Sequence, residues 1–340
     1  MDKKSVSFFI VGILAGILIS VGGFTWYVRS AAVGGGQRNE VLVLKLGHGL
    51  DPSHPVHKGM VYMAERLKEK SGGTIELQIF PGGILGSETE CIELLKNGAL
   101  AVTKVSTAPL EGFLPEMGVF SLPYVFRNEE HYWKVLTSPL GRKLLQMGEP
   151  AGLHGLCYYD SGSRNFYTTT KPILTPDDLK GLKIRVQNSK TSMDMIEVLG
   201  AAATPISWGE LYTALQQKMV DGAENNPPSF VTSRHFEVCK YFSFNEHTRI
   251  PDILLMSKKI WDTLTPAQQQ WIQEAADESS LYQRQLWKTM TAECIETMKK
   301  EGVQLFYPDT KPFEEKVQPL LRQYEGTPIG DIVRQIREIQ

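Results

Sequence analysis

At 340 residues and 42% hydrophobic composition, the chain carries enough apolar material for one large core or two ordinary ones, so a two-domain globular protein is expected. Lys and Arg total 36 against 38 Asp and Glu, a net charge of -2 with the cations scattered along the chain, which excludes the basic face of a protein that tracks phosphate backbones. Cys91, Cys157, Cys239 and Cys294 stand far apart without CxxC spacing, which argues against a zinc knuckle or a thioredoxin-type pair. An even count leaves disulfides open, although Cys91 in an amphipathic pattern and Cys157 in an apolar run read as buried thiols.

The first element is apolar. Lys3 and Lys4 precede an uncharged run from Ser5 to Val28, closed by Arg29. Its length is near the ~20 residues that span a bilayer and exceeds the roughly 7 to 15 of a signal-peptide apolar region. Ser30, Ala31 and Ala32 supply the small residues a signal peptidase needs, and Gly34 to Gly36 read as a flexible leader. Residues 1–39 are therefore expected to be a signal peptide or a membrane anchor followed by a leader.

From Val41 strands and helices alternate: strand Val41 to His48, helix His57 to Lys70, strand Thr74 to Phe80, helix Glu88 to Gly98, strand Ala101 to Ser106. This order predicts an α/β fold with a parallel sheet covered on both faces. Ligands on such sheets bind at the carboxyl ends of strands, here Gly47 to Pro52, Phe80 to Gly86 and Ser106 to Ala108. A second unit begins near Asp160, with strand Leu182 to Gln187, helix Lys190 to Gly200, strand Ala202 to Ser207, helix Trp208 to Gln217, a turn over Val220 to Ser229 and a strand from His247 to Ser257. A long helical pattern then runs from Pro266 to Glu301, with Thr265 as N-cap and Gly302 as the stop. At 1.5 Å per residue it would extend on the order of 50 Å, longer than one such domain needs, so it is expected to lie across both.

No Walker loop, GxSxG, HExxH or glycine-rich dinucleotide turn is present, and no cofactor is expected, although an enzyme is not excluded by that. His48, His54 and His57 crowd the segment HGLDPSHPVHKG, but with no acidic or cysteine partner at ligand spacing they read as a strand-to-helix connection rather than a metal site. Ser87 and Glu90 have capping-box spacing, and Glu88 can serve the helix dipole or a ligand. Lys104, within AVTKVS, needs an anionic partner or an exposed strand end. In GLKIRVQNSK, Leu182, Ile184 and Val186 alternate with Lys183, Arg185 and Gln187, which by itself accounts for Arg185 as a solvated residue. Arg164 follows the crossover between the proposed domains, and two guanidinium groups beside a crevice suit a ligand carboxylate. Asn225 and Asn226 could donate to and accept from ligand hydroxyls, or form an ordinary Asn-Asn-Pro-Pro turn.

The ordered segments LGHGLDPSHPVHKG, IFPGGILGSETECIELLKNGAL, SLPYVFRNEEHYWKV, GSRNFYTTTKPILTPDDLKGLKIRV, LGAAATPISWGELYTALQQKMVDGAENNP and ILLMSKKIWDTLTPAQQQWIQEAA together resemble the solute-binding subunits of tripartite ATP-independent periplasmic (TRAP) transporters, the C4-dicarboxylate-binding type, over Val41 to about Tyr324. The resemblance implies a two-lobed, type II-like periplasmic binding protein with hinge strands, a cleft between the lobes and a long helix across the back. Lobe I would comprise 40–160 with a return from about 246–285, and lobe II 161–245 with a return from about 286–340. It further implies a periplasmic monomer that hands a small carboxylate to the small and large membrane subunits of the transporter, without metal, cofactor or nucleic acid.

The family's key arginine falls at Arg185, its second cleft arginine at Arg164 and the asparagine of its DGxEN motif at Asn225. The chain departs from many members by carrying Ala223 for glutamine and Asn226 for proline. DGAENN, with GSETE, TKVS and NEHTRIPDILLMSKK, is similar to the sugar-acid branch that binds hexuronates such as glucuronate or galacturonate. An aldonate, a C4-dicarboxylate and an exported sugar-acid lyase or isomerase using Lys104 or His48 as base remain the alternatives. In the expected site Arg185 and Arg164 grip the carboxylate, while Asn225, Asn226, His48, Glu88 and Lys104 read hydroxyls. Trp208 packs on the sugar ring or anchors a helix in the core.

Overall fold

The computed structural model describes residues 41–340, in which the strands form two sheets. The first has the order β2-β1-β3-β10-β4, from β1 (Leu42–Gly47), β2 (Ile75–Phe80), β3 (Val102–Ser106), β4 (Leu153–Tyr159) and β10 (Asp252–Ser257). The second has the order β11-β9-β5-β8-β6-β7, from β5 (Arg164–Thr168), β6 (Lys183–Val186), β7 (Ala202–Pro205), β8 (Gly222–Asn225), β9 (Tyr241–Thr248) and β11 (Gln304–Phe306). Each sheet with its helices is one lobe of an α/β fold. The principal helices are α1 (Pro55–Lys70), α2 (Glu88–Asn97), α3 (Lys190–Leu199), α4 (Trp208–Gln216), α5 (Pro227–Thr232), α6 (Pro266–Lys300) and α7 (Pro328–Glu338).

Neither sheet is wholly parallel, contrary to the alternation rule. β1, β2 and β3 are parallel, but β10 enters antiparallel between β3 and β4, and β9 pairs antiparallel with β5. The cause is the crossing between lobes: the chain leaves the first sheet through β4 into β5 and returns through β9 into β10, so each returning strand runs against the one that left. The two crossings, Asp160 to Ser163 and Arg249 to Pro251, are tied by a hydrogen bond that Ser161 Oγ donates to Ile250 O.

The single strand expected over His247 to Ser257 is thus two strands in different sheets, interrupted where Pro251 has no N–H to give a ladder. The turn expected over Val220 to Ser229 is instead the interior strand β8 followed by α5, with Asn226 as N-cap accepting from Ser229 N at 2.8 Å. Gly222 shows why glycine stands there, since a Cβ would come within 2.4 Å of Tyr167 O on β5.

Helix starts follow the local chemistry. Ser87 and Glu90 form the capping box of α2, Pro55 opens α1, and Thr265 caps α6 with Gln268 completing a second box. α6 packs on α1 in the first lobe, where Arg66 Nε reaches Glu278 at 2.6 Å and Lys70 Nζ reaches Glu278 at 2.7 Å, and on α5 and β11 in the second. α7, within the stretch expected to return to lobe II, lies on lobe I instead. It buries Ile332, Val333 and Ile336, and Arg127 Nη2 and His131 Nε2 donate to Ile339 O at 2.6 Å and Ile336 O at 3.0 Å. The four cysteines are buried free thiols. The apolar run Ser5 to Val28 lies outside the described residues, and no described helix is long and apolar enough to cross a membrane.

Candidate functional site

The carboxyl ends of β1, β3, β6 and β8 meet around a cleft whose inner part has about 450 Å³ of free space, partly open to solvent. Of the three loops expected to floor it, Gly49, Leu50 and Ser106 line it, but Phe80 to Gly86 does not. That turn stands behind the β1 loop, with Gly82 N and Gly83 N donating to Leu50 O and His48 O, each at 3.0 Å.

On the lobe I wall, Lys104 is buried in mid-β3 and has found anionic partners. Its Nζ donates to Glu88 Oε1 at 3.0 Å and to Asp252 Oδ1 at 3.2 Å. Burial works to lower the lysine pKa, but Asp252 and Glu88 outweigh it and raise it, so the ammonium stays charged. Glu88, at the first position of α2, also accepts from Ser106 N at 3.0 Å. Asp252, at the start of β10, is pushed up to about 6 by burial, with Lys104 opposing and Glu88 adding to the rise.

His48 has no free ring nitrogen. Nδ1 accepts from Leu50 N at 3.1 Å and Nε2 meets His57 Nδ1 at 3.0 Å, while burial, with Lys104 and His57 adding, holds its pKa down to about 3. It shapes the β1 loop and does not line the cleft. His54 turns away from both, accepting from Val56 N at 3.2 Å and meeting Ser229 Oγ of the other lobe at 3.2 Å.

The lobe II wall presents the two arginines in different states. Arg164, on β5, forms a two-pronged ion pair with Glu224: Nε donates to Oε2, and Nη2 to Oε1 at 2.8 Å. Nη2 also donates to Glu224 O at 2.7 Å, and Nη1 to Asn225 Oδ1 at 3.1 Å. Burial would raise the Glu224 carboxyl, but Arg164 and a hydrogen bond from His247 win and hold it at about 2.

Arg185, on β6, has no such partner. It is 2% exposed, its Nε donates to Ile206 O at 2.8 Å, and Nη1 is buried without any hydrogen bond. Burial lowers its pKa to about 10. The face that alternation left open to water is closed by the opposing elements.

Asn225 Oδ1 accepts from Arg164, from Asn226 N at 2.9 Å and from Asn226 Nδ2 at 3.0 Å, which leaves its own amide nitrogen toward the cleft. Asn226 is committed within the protein: besides capping α5 it donates to Ser161 O in the crossing at 2.9 Å. Trp208, at the start of α4, lies 5.8 Å from the Arg185 guanidinium, and a Cβ placed on Gly49 of lobe I would be 3.6 Å from its ring. Ser106 Oγ donates to Gln187 Oε1 at 3.2 Å across the cleft.

Lys104, Glu88, Arg164, Asn225, Asn226 and Trp208 thus line one cavity, and Arg185 lines the adjoining mouth, which shares Glu88, Gln187 and Trp208 with it. Sequence reasoning missed Glu224, Asp252, Gln187 and Ser229. For Glu224 and Asp252 the signal was an acid inside an apolar or small-residue stretch, the same signal that marked Lys104.

The family model described as bacterial extracellular solute-binding protein, family 7, matches residues 46–327. The protein YiiZ of Salmonella typhimurium is 41% identical over 286 residues, 84% of this chain and 86% of that one. Among solved structures, a TRAP periplasmic solute-binding protein from Xanthobacter autotrophicus with bound β-D-galacturonate superposes with TM-score 0.84 at 38% identity, covering 87% of this chain and 100% of that one. One from Citrobacter koseri with bound D-glucuronate gives TM-score 0.84 at 36% identity, covering 88% and 99%.

Proposed function

The chain belongs to the bacterial extracellular solute-binding protein family 7, the binding subunits of TRAP transporters, and from that premise we propose that it captures a hexuronate, galacturonate or glucuronate, and delivers it to the transporter's small and large membrane subunits. The observation that carries this reading is the buried, unpartnered Nη1 of Arg185 at the cleft mouth. A guanidinium kept dry without an anion is poised to take a carboxylate, and charge-assisted bonds to it are worth about 1.5 to 3 kcal/mol each.

Arg164 acts differently from the equal partner expected of it. With Glu224 on two of its nitrogens it positions Asn225, whose free amide faces the ligand. Asn226 and His48 hold the crossing and the β1 loop, and Glu88, Lys104 and Asp252 read hydroxyls. Trp208 packs on the sugar ring. Closure draws the sheet of 42–159 and 252–257 toward the sheet of 164–248, because the ligand touches both. The protein acts as a monomer outside the cytoplasm, brought there by residues 1–39 as signal peptide or anchor.

The enzyme reading lacks a base: Lys104 stays protonated between two carboxylates, and His48 faces away from the cleft with both nitrogens engaged. A thermal-shift screen against hexuronates, aldonates and C4-dicarboxylates tests the proposal, since a ligand that binds only the folded state raises its melting temperature. A rise with a uronate, recovered unchanged by mass spectrometry, is expected. A rise confined to succinate or malate would overturn the uronate reading, and a chemically altered uronate would overturn the binding reading.

A further inference from the structure

The two walls of the cleft differ in charge balance. On lobe II, Arg164 is matched by Glu224, which leaves Arg185 as the cation without an anion. On lobe I, one ammonium, Lys104, is shared by two carboxylates, Glu88 and Asp252, which leaves one negative charge in excess. All three lobe I groups line the inner cavity, and Glu88 lines the mouth with Arg185 as well, so the two pockets adjoin along a wall of Glu88, Gln187 and Trp208.

We propose that this polarity is a charge filter: Glu88 and Asp252 are specificity-determining residues that make the site accept monoanionic polyhydroxy acids and reject acids with a second carboxylate at the far end. The inference rests on the reading that Arg185 holds the ligand carboxylate. A hexuronate offers hydroxyls at its far end, and these donate to Glu88 and Asp252 without breaking either ion pair to Lys104. The aldarate of the same carbon skeleton carries a carboxylate there, which can only accept and meets two carboxylates with one ammonium already committed. One unmatched like charge roughly 6 Å away, at an effective dielectric near 20, weakens binding by about a hundredfold.

The test is calorimetric titration of the protein with matched acids: galacturonate against galactarate, glucuronate against glucarate, erythronate against meso-tartrate. The monoacid of each bound pair is expected to bind tighter by about a hundredfold. Asp252→Asn and Glu88→Gln, each checked by thermal melting, should narrow that ratio by about tenfold or more, whatever they do to the monoacid itself. A diacid bound by the unmutated protein within about threefold of its monoacid overturns the filter, as does a ratio unchanged in both variants. Should no uronate bind while erythronate does and meso-tartrate does not, the uronate reading falls and the filter stands.

Discussion

Replacing Arg185 by methionine should separate binding from stability. The guanidinium is buried with a single bond, Nε to Ile206 O at 2.8 Å. Burial holds its pKa down at about 10, below the ordinary guanidinium range, although Tyr167 and Glu224 work the other way. Because the folded value is the lower one, the fold disfavours the charged form. At neutral pH that penalty is about 3 kcal/mol, relieved only as pH rises above 10.

Methionine has similar reach and no charge, so the penalty disappears, while the lost bond to Ile206 O costs about 1 kcal/mol. The ligand-free variant should therefore be more stable by about 2 kcal/mol, a rise in Tm of roughly 3 °C for a folded unit of this size. Two charge-assisted bonds to the ligand carboxylate are lost, about 3 to 6 kcal/mol, so affinity should fall between about a hundredfold and about ten-thousandfold. Arg185→Lys should also bind poorly, since a point charge does not copy the planar fork. Thermal melts with and without saturating galacturonate, followed by titration, read both effects. A ligand-free variant melting several degrees below the parent, or one that keeps its ligand-induced shift, would refute the reasoning.

Glu224→Gln leaves Arg164 buried without its anion and should cost about 3 to 5 kcal/mol in urea unfolding, most of it recovered in the double variant Arg164→Met/Glu224→Gln. A single-variant cost below about 1 kcal/mol would show that the pair does not hold the second sheet together. Acid should weaken the fold before ordinary carboxylates titrate. Burial holds His48 and His235 at about 3, well below 6.5, so the unfolded chain binds more protons below that pH and stability falls as pH falls; buried His54 and His247 push the same way. Asp252 at about 6 and Asp160, also raised by burial, oppose this, because each takes up its proton more readily in the folded state. The net loss between pH 7 and pH 5 should be about 2 kcal/mol, and a urea midpoint at pH 5 equal to or above that at pH 7 would contradict it.

What the sequence determined by itself was local. Capping residues and hydrophobic period are decided within a turn or two of chain, which is why α2 starts at Glu88 after Ser87, and why Thr265 and Pro266 mark the start of a helix long enough to touch both lobes. The ordered motifs likewise fixed the family. DGAENN misled because Gly, Asn and Pro are turn residues by propensity, whereas β8 is an interior strand held by β5 and β6 from outside the segment.

Only the tertiary structure decided the charges. Lys104 meets Glu88 and Asp252 across separations of 16 and 148 residues, and Arg164 meets Glu224 across 60. Alternation in β6 showed that Arg185 lies on a polar face but not what covers that face. Electrostatics depends on distance and on exclusion of water, and both are set by residues brought together from different elements. The fold therefore left Arg185 without an anion and gave one to Arg164, a difference that no spacing in the chain records.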